Sequence, residues 1–398
     1  MLALSLLDIL LAKVDDISAE IHAKACDLWL APSKIDGKGI FAGRAYESGE
    51  DLDFGVSIPV PFQKIVGTML SSYVHAGPIE YFMEEELEYS LVNLGITMIM
   101  NHHTLPSRVN HYHEEDDVFI NETFTSPFAS YPATFHDTEI DLAAGDEVFN
   151  MYSEDSTWFD DKGLEPWDDS NTTAMAGNAL TLQEIEATGH CMTQVLVNTS
   201  TIVRAGLGLF AGRDFEVGET VTVSPVLILP RVDIEQMQIT SVLQNFCIAT
   251  DESEIVLLPI GTSMMANHAL WPNMQMAWHL WKPEQKDALD AYLAQNVSVL
   301  TDSKFTRLDL AFVAVQRITA GDELTVNYGD QWVNTWASYL AEYVSWLTHE
   351  PPTHEEGEDE EEYEPPEVPL FRSFIAPPPG LFPSHWNFEY ETINAEDL

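Results

Sequence analysis

Gly206-Leu207-Gly208-Leu209-Phe210-Ala211-Gly212-Arg213 is a near copy of Gly37-Lys38-Gly39-Ile40-Phe41-Ala42-Gly43-Arg44. Six of the eight positions are identical; the other two pair Lys38 with Leu207 and Ile40 with Leu209. Gly39 and Gly208 stand 169 residues apart, and the same offset pairs Gly49-Glu50 with Gly218-Glu219 and Pro61 with Pro230. Further along, Asn101-His102 pairs with Asn267-His268 at an offset of 166, and Gly145-Asp146-Glu147 with Gly321-Asp322-Glu323 at 176. Tyr152 and Tyr328 keep that last offset. An unchanged order of blocks, with offsets that drift only by small insertions, predicts a duplicated domain.

The blocks are short, β-branched and bounded by Gly, Pro, Asp and Asn, which reads as strands and turns. Glu219 to Leu229 and Leu310 to Val315 are examples, while Gly77 to Leu94 and Pro283 to Ala294 read as helices. The expected fold class is therefore α+β, strand-rich and duplicated, with helical insertions. The expected organisation is an N-terminal helix over 1–25, a first unit over 26–160, a polar linker over 161–190, a second unit over 191–346 and an acidic, Pro-rich tail over 347–398. The tail carries the acidic run Glu355 to Glu364 and reads as extended. Its Phe371, Phe374, Phe382, Trp386, Phe388 and Tyr390 are unusual for a solvating tail and predict that part of it docks back on the body.

The chain has 398 residues, 65 of them acidic and 17 basic, for a formal net charge of -48. A field of that sign repels phosphate backbones, which argues against direct nucleic-acid binding. It keeps the protein soluble and would attract a basic or lysine-rich protein. The hydrophobic fraction of 45% is enough for real cores. Cys26, Cys191 and Cys247 form no C-x-x-C pair, so a multi-cysteine zinc cluster is excluded and a disulfide framework is not expected. A single bond between two of the three stays open. No apolar run is long enough to span a bilayer. Met1 to Ala12 is apolar but short, is interrupted by Asp8 and has no basic leader, so it reads as a buried amphipathic helix rather than a signal peptide. Cytoplasm or nucleus is the expected location. Four Asn-x-Ser/Thr triplets, at Asn121, Asn171, Asn198 and Asn296, keep the secretory pathway as the alternative.

Three blocks of the second unit need explaining together. The Gly206-Leu207-Gly208 turn lets the backbone pass close to a ligand, or simply serves a tight hairpin. Asn267-His268-Ala269-Leu270-Trp271-Pro272-Asn273 and Gly321-Asp322-Glu323-Leu324-Thr325-Val326-Asn327-Tyr328-Gly329 follow in order. Together they resemble the SET domain of protein-lysine methyltransferases. The resemblance covers roughly Cys26 to Phe159 and Thr201 to Glu342. It implies a SET-type β-clip fold and methyl transfer from S-adenosylmethionine to a protein lysine. It further implies cofactor contacts from Gly206, Gly208, Asn267 and His268, and a catalytic hydroxyl on Tyr328. Each residue also has a plainer reading. Tyr328 would be a packed strand tyrosine, and Asn267 and His268 would hold the core by hydrogen bonds. Arg213, followed by Asp214, reads as a surface ion-pair residue.

Departures from the family pattern matter. Val326 stands where an aromatic residue is common, which would widen the lysine channel, and the flanking cysteine-rich zinc segments are absent. Trp332, Trp336, Tyr339 and the C-terminal aromatics are candidates to close the channel instead. In the first unit Gly37, Gly39, Asn101, His102 and Tyr152 form a second candidate set, but Ser107 replaces the block's last asparagine and Asn150 is polar where the channel should be apolar. A pseudo-enzyme half is expected there. His102, His103, His111 and His113 cluster without a specific ligand spacing, so no metal is expected. The alternative to an enzyme is a non-catalytic SET-like scaffold or interaction module.

Overall fold

The computed structural model describes residues 26–35, 37–76, 89–102, 133–138, 140–150, 179–203, 205–237, 241–302, 307–348 and 370–387. They form a strand-rich mixed α+β structure. The first half contributes β1 (Leu28–Pro32), β2 (Lys38–Ala42), β3 (Asp51–Pro61), β4 (His75–Ala76), β5 (Tyr89–Leu94), β6 (Asn101–His102), β7 (Ala133–Asp137), β8 (Glu147–Asn150) and β9 (His190–Cys191). The second contributes β10 (Val195–Thr199), β11 (Leu207–Ala211), β12 (Thr220–Pro230), β13 (Ile255–Pro259), β14 (Asn267–His268), β15 (Met274–Trp278), β16 (Leu308–Ala314) and β17 (Glu323–Val326).

Four sheets result, with strand orders β6-β8-β2-β1-β9, β4-β5-β3-β7, β10-β11-β17-β14 and β13-β12-β16-β15. The long central strands β3 and β12 each carry an irregularity near the start, between Asp51 and Asp53 and between Thr220 and Thr222. Most pairings are antiparallel. The exceptions are β6 with β8 (Asn101↔Phe149, His102↔Asn150) and β14 with β17 (Asn267↔Thr325, His268↔Val326), which are parallel. These two-residue strands lay the Asn-His block beside the block that leads to the tyrosine in each half.

Sequence dictates the layering. β12 reads TVTVSPVLILP and is buried on both faces, as a central strand flanked by β13 and β16 must be. One continuous apolar core runs through both halves, from Leu30, Ile58 and Val92 to Leu227, Leu257 and Phe312. Polar ties cross between the halves too. Ser241 Oγ donates to the Pro59 carbonyl at 2.7 Å, and Lys38 forms a buried ion pair with Asp309, which also accepts from Trp281 Nε1 at 2.7 Å.

Several expectations change here. Tyr89–Leu94 is a strand rather than the end of a helix, because Leu91, Val92 and Leu94 are all buried in register with β3; 77–88 lie outside the described residues. Pro283–Gln285 and Lys286–Leu293 are helical, as the sequence predicts. Cys26 and Cys191 form a disulfide with Cα atoms 5.7 Å apart, settling the bond left open, and Cys247 is a buried free thiol. The polar stretch before residue 190 is more than a connector. Leu182–Thr188 is a helix with a Thr181–Glu184 capping box, and β9 pairs with β1. The expected N-terminal helix and the acidic run lie outside the described residues. Residues 370–387 of the tail do pack on the body: Phe371, Ile375, Leu381 and Trp386 are buried. Among the described residues no helix is long and apolar enough to cross a membrane.

Candidate functional site

The β10–β11 hairpin supplies the first wall. Its turn closes through Ser200 N donating to the Gly206 carbonyl at 2.8 Å. Gly206 has φ +71, a left-handed conformation that disfavours any side chain. Gly208 is a glycine for a different reason. A Cβ there would lie 2.6 Å from Glu323 Oε1. The second glycine thus makes room for a carboxylate of this chain.

Asn267 projects from β14 into this corner. Its Nδ2 lies 2.9 Å from the Leu207 carbonyl, 3.0 Å from Glu323 Oε1 and 3.1 Å from Ser200 Oγ. Glu323 also accepts from Ser200 Oγ at 2.6 Å, from Thr201 N at 2.8 Å and from the Thr201 hydroxyl. Partial burial pulls the Glu323 pKa upward, but the hydrogen bonds from Ser200, Thr201 and Asn267 outweigh it, so the carboxyl sits below its ordinary range.

The far end of the block is structural. Asn273 accepts from Thr325 N at 2.8 Å through its side-chain oxygen and donates to the Glu323 carbonyl at 2.8 Å through Nδ2. One amide thus satisfies two backbone groups of β17.

His268 and Tyr328 form the second wall. His268 Nδ1 accepts from Tyr328 N at 3.0 Å, which assigns the ring as neutral with its proton on Nε2. Burial lowers the His268 pKa and reinforces that state. The Tyr328 hydroxyl donates to the Ala266 carbonyl at 2.7 Å, and burial raises its pKa, so it stays a phenol near neutral pH. Trp332 lies against both rings, 5.4 Å from His268 and 4.9 Å from Tyr328 between centroids. The docked tail completes this side. Ala376 N donates to the Tyr328 carbonyl at 2.9 Å, and Phe371 packs on Trp332, Trp336 and Tyr339.

The structure thus brings Gly206, Gly208, Asn267, His268 and Tyr328 into one corner. Sequence reasoning missed Ser200, Thr201 and Glu323, and the carbonyl of Ala266. Glu323 did leave a signal, since the Gly-Asp-Glu triplet recurs in both halves. Ser200 did not, because it precedes Gly208 by a different spacing than Ser33 precedes Gly39. Val326 is buried in the core. Arg213 is the surface ion-pair residue expected, 2.5 Å from Glu219.

The first half repeats part of this arrangement. Gly37 has φ +48, and a Cβ on Gly39 would fall on the Glu147 carboxylate. Asn101 Nδ2 donates to Glu147 Oε1 at 2.8 Å and to the Lys38 carbonyl at 3.1 Å, and Ser33 Oγ donates to Glu147 Oε2 at 3.0 Å. Burial pushes the Glu147 pKa up to about 7, against the hydrogen bonds from Asn101 and Ser33. The turn residue differs: Leu207 is exposed, whereas Lys38 is engaged by Asp309 of the second half. The side chain of His102 and all of Tyr152 lie outside the described residues. Among the described residues no three His, Cys, Asp or Glu side chains converge as metal ligands; His103, His111 and His113 lie outside them.

Among curated proteins none matches the chain. Solved structures similar to it include a Plasmodium falciparum candidate histone methyltransferase, at 17% identity and a TM-score of 0.24 over 35% of this chain and 96% of that one. Another is an inhibitor-bound humanized mutant of the Chaetomium thermophilum Polycomb Repressive Complex 2, at 24% and 0.24 over 34% of this chain and 15% of that one. A third, an autoinhibited ctPRC2 bound to S-adenosylmethionine, gives 18% and 0.26 over 41% and 18%. The SET domain family model matches residues 206–329, a range that starts at the first turn glycine and ends one residue past Tyr328.

Proposed function

We propose that the second half, 191–346, is a protein-lysine N-methyltransferase that uses S-adenosylmethionine. The observation that carries the reading is the convergence of Asn267, His268 and Tyr328 on one corner, with the Ala266 carbonyl beside the tyrosine hydroxyl. The residues suit the cofactor chemically. The Asn267 amide oxygen can accept from an ammonium, and Gly206 leaves the turn open, with nothing within 4 Å of a Cβ placed there.

When bound, the cofactor supplies a methyl group activated by its sulfonium. This chain's residues do the rest. A lysine ammonium has no lone pair, so it must lose a proton before it reacts. Apolar walls from Trp332, Tyr328 and the docked tail desolvate it and lower its pKa. The Ala266 carbonyl and the Tyr328 hydroxyl offer an acceptor and a donor-acceptor that orient the amine. The phenol keeps its proton, so it acts by position and dipole rather than as a base. The expected partner is a basic or lysine-rich protein, drawn by the net charge of -48.

Residues 26–160 are read as a degenerate second copy. The sequence offsets support this, as do the matching strand orders β1-β2-β8-β6 and β10-β11-β17-β14 and the recurrence of the Asn–Glu–Ser–Gly arrangement. Another reading, a non-catalytic SET-like scaffold, draws on the fact that the Tyr328 hydroxyl and the Asn267 donors are already satisfied within the protein.

Calorimetric titration of S-adenosylmethionine separates the two. The enzyme reading expects one site per chain, lost in Asn267→Ala and kept in Asn101→Ala. Absence of binding in the wild type would leave the scaffold.

A further inference from the structure

Asn267 has two amide hydrogens and a choice of orientation. The Leu207 carbonyl at 2.9 Å only accepts hydrogen bonds. Glu323 Oε1 at 3.0 Å, already loaded by Ser200 and paired with an oxygen that takes both Thr201 donors, also only accepts. Two acceptors side by side fix the amide with its NH2 inward. Its oxygen is then left with no hydrogen bond among the described residues. An amide held this way presents a single acceptor of fixed direction.

The arrangement occurs twice, which argues against accident. Asn101, Glu147, Ser33 and Gly39 repeat Asn267, Glu323, Ser200 and Gly208. In both halves the second glycine of the turn is the residue whose missing Cβ admits the carboxylate. The cost of taking a carboxylate partly out of water is offset by donors, and here Ser200, Thr201 and Asn267 provide them.

We propose that Glu323 is a positioning residue of the cofactor site: through Ser200, Thr201 and the space left by Gly208 it holds the Asn267 amide so that the amide oxygen receives the ligand's α-ammonium. This rests on the S-adenosylmethionine reading above. Glu323 itself touches no reacting atom. Its effect is selective, acting on recognition of the amino-acid end and not on the remainder of the ligand.

The test measures dissociation constants of S-adenosylhomocysteine and of its analogue lacking the α-amino group, by calorimetry. Wild type should prefer the amine-bearing compound by about tenfold or more, the size of one hydrogen bond to a charged group. Glu323→Gln has one acceptor where the site has four donors, so the Asn267 amide is released and the preference should fall to within about threefold. Glu323→Asp, which keeps the charge but shortens the reach, should do the same and covers the case of a Gln variant that folds poorly. A wild type that binds neither compound overturns the cofactor reading and this inference with it. A wild type that discriminates, with both Glu323 variants discriminating equally well, overturns this inference alone.

Discussion

Tyr328 holds its hydroxyl 2.7 Å from the Ala266 carbonyl, where it can exchange that partner for a substrate amine. Tyr328→Phe keeps the ring against Trp332 and His268 but deletes the hydroxyl. Cofactor affinity should change little while turnover falls by about a hundredfold, the usual cost of one transition-state donor. A radiolabelled methyl-transfer assay on a lysine-rich protein mixture measures this, and full activity in the variant would remove Tyr328 from the mechanism. The two turn glycines should also differ. Gly206→Ala meets open space and strains only a left-handed backbone, a cost of about 1 kcal/mol. Gly208→Ala drives a methyl into the Glu323 carboxylate, so chemical denaturation should show the larger loss in this variant. At this scale the sequence was legible where residue type is itself the signal: the glycines, Asn267, His268 and Tyr328. Glu323 recurs with its triplet, but its role stays hidden because an acidic side chain on a strongly acidic chain reads as solvated surface. Only the fold reveals that four donors surround it.

Elements show a sharper division between what pattern reveals and what it hides. The strands β12 and β16 follow from β-branched runs between turn residues. Tyr89–Leu94 misled because its alternation is lost when both faces are buried, and the acidic run before it suggested a helix face. The tail docks as its aromatics imply, but its place depends on long-range pairing that no local pattern encodes. Ile375 lies parallel to Ile248, with Ile375 N donating to the Cys247 carbonyl and Ala249 N to the Ile375 carbonyl. Phe371 is 2% exposed and contacts three aromatic rings of the helix Asp330–Leu347. Phe371→Ala should therefore cost about 3–5 kcal/mol if the tail and body unfold together. If the tail instead releases as a unit, global stability should change by less than about 1 kcal/mol while limited proteolysis cuts within 370–387. In both cases the wall beside Tyr328 loosens, so methyl transfer should fall more than cofactor binding does.

The described residues are held by a main core that spans both halves, by ties between the halves and by the Cys26–Cys191 bond across a sequence separation of 165. Reduction, or Cys26→Ser, should lower stability by about 2–5 kcal/mol in urea titration, the range for a bond closing a long loop. The pH response is set by two buried groups of opposite sign. Burial lowers the His190 pKa to about 4, with the nearby His279 adding to the effect. Between pH 6.5 and 4 the unfolded chain binds a proton that the folded protein refuses, so this group's contribution is lost as pH falls through that window. Glu147 runs the other way. Burial raises it to about 7 from an ordinary 4.5, so the folded protein keeps a proton that the unfolded chain releases. Its contribution is complete below 4.5 and is lost as pH rises to 7. Each shift spans roughly 2.5 pH units, or about 3 kcal/mol, and over pH 4.5 to 6.5 the two oppose each other. Wild type should therefore show little net slope from this pair, on a background set by the net charge of -48 that is nearly common to wild type and variant. Glu147→Gln removes one side of the balance. Whatever its absolute stability, the variant should lose about 2 kcal/mol relative to wild type on going from pH 6.5 to 4.5, as urea unfolding at pH 6.5, 5.5 and 4.5 would measure. Parallel profiles for the two proteins would mean that Glu147 stays ionised in the fold, with Asn101 and Ser33 stabilising the carboxylate more than burial costs it.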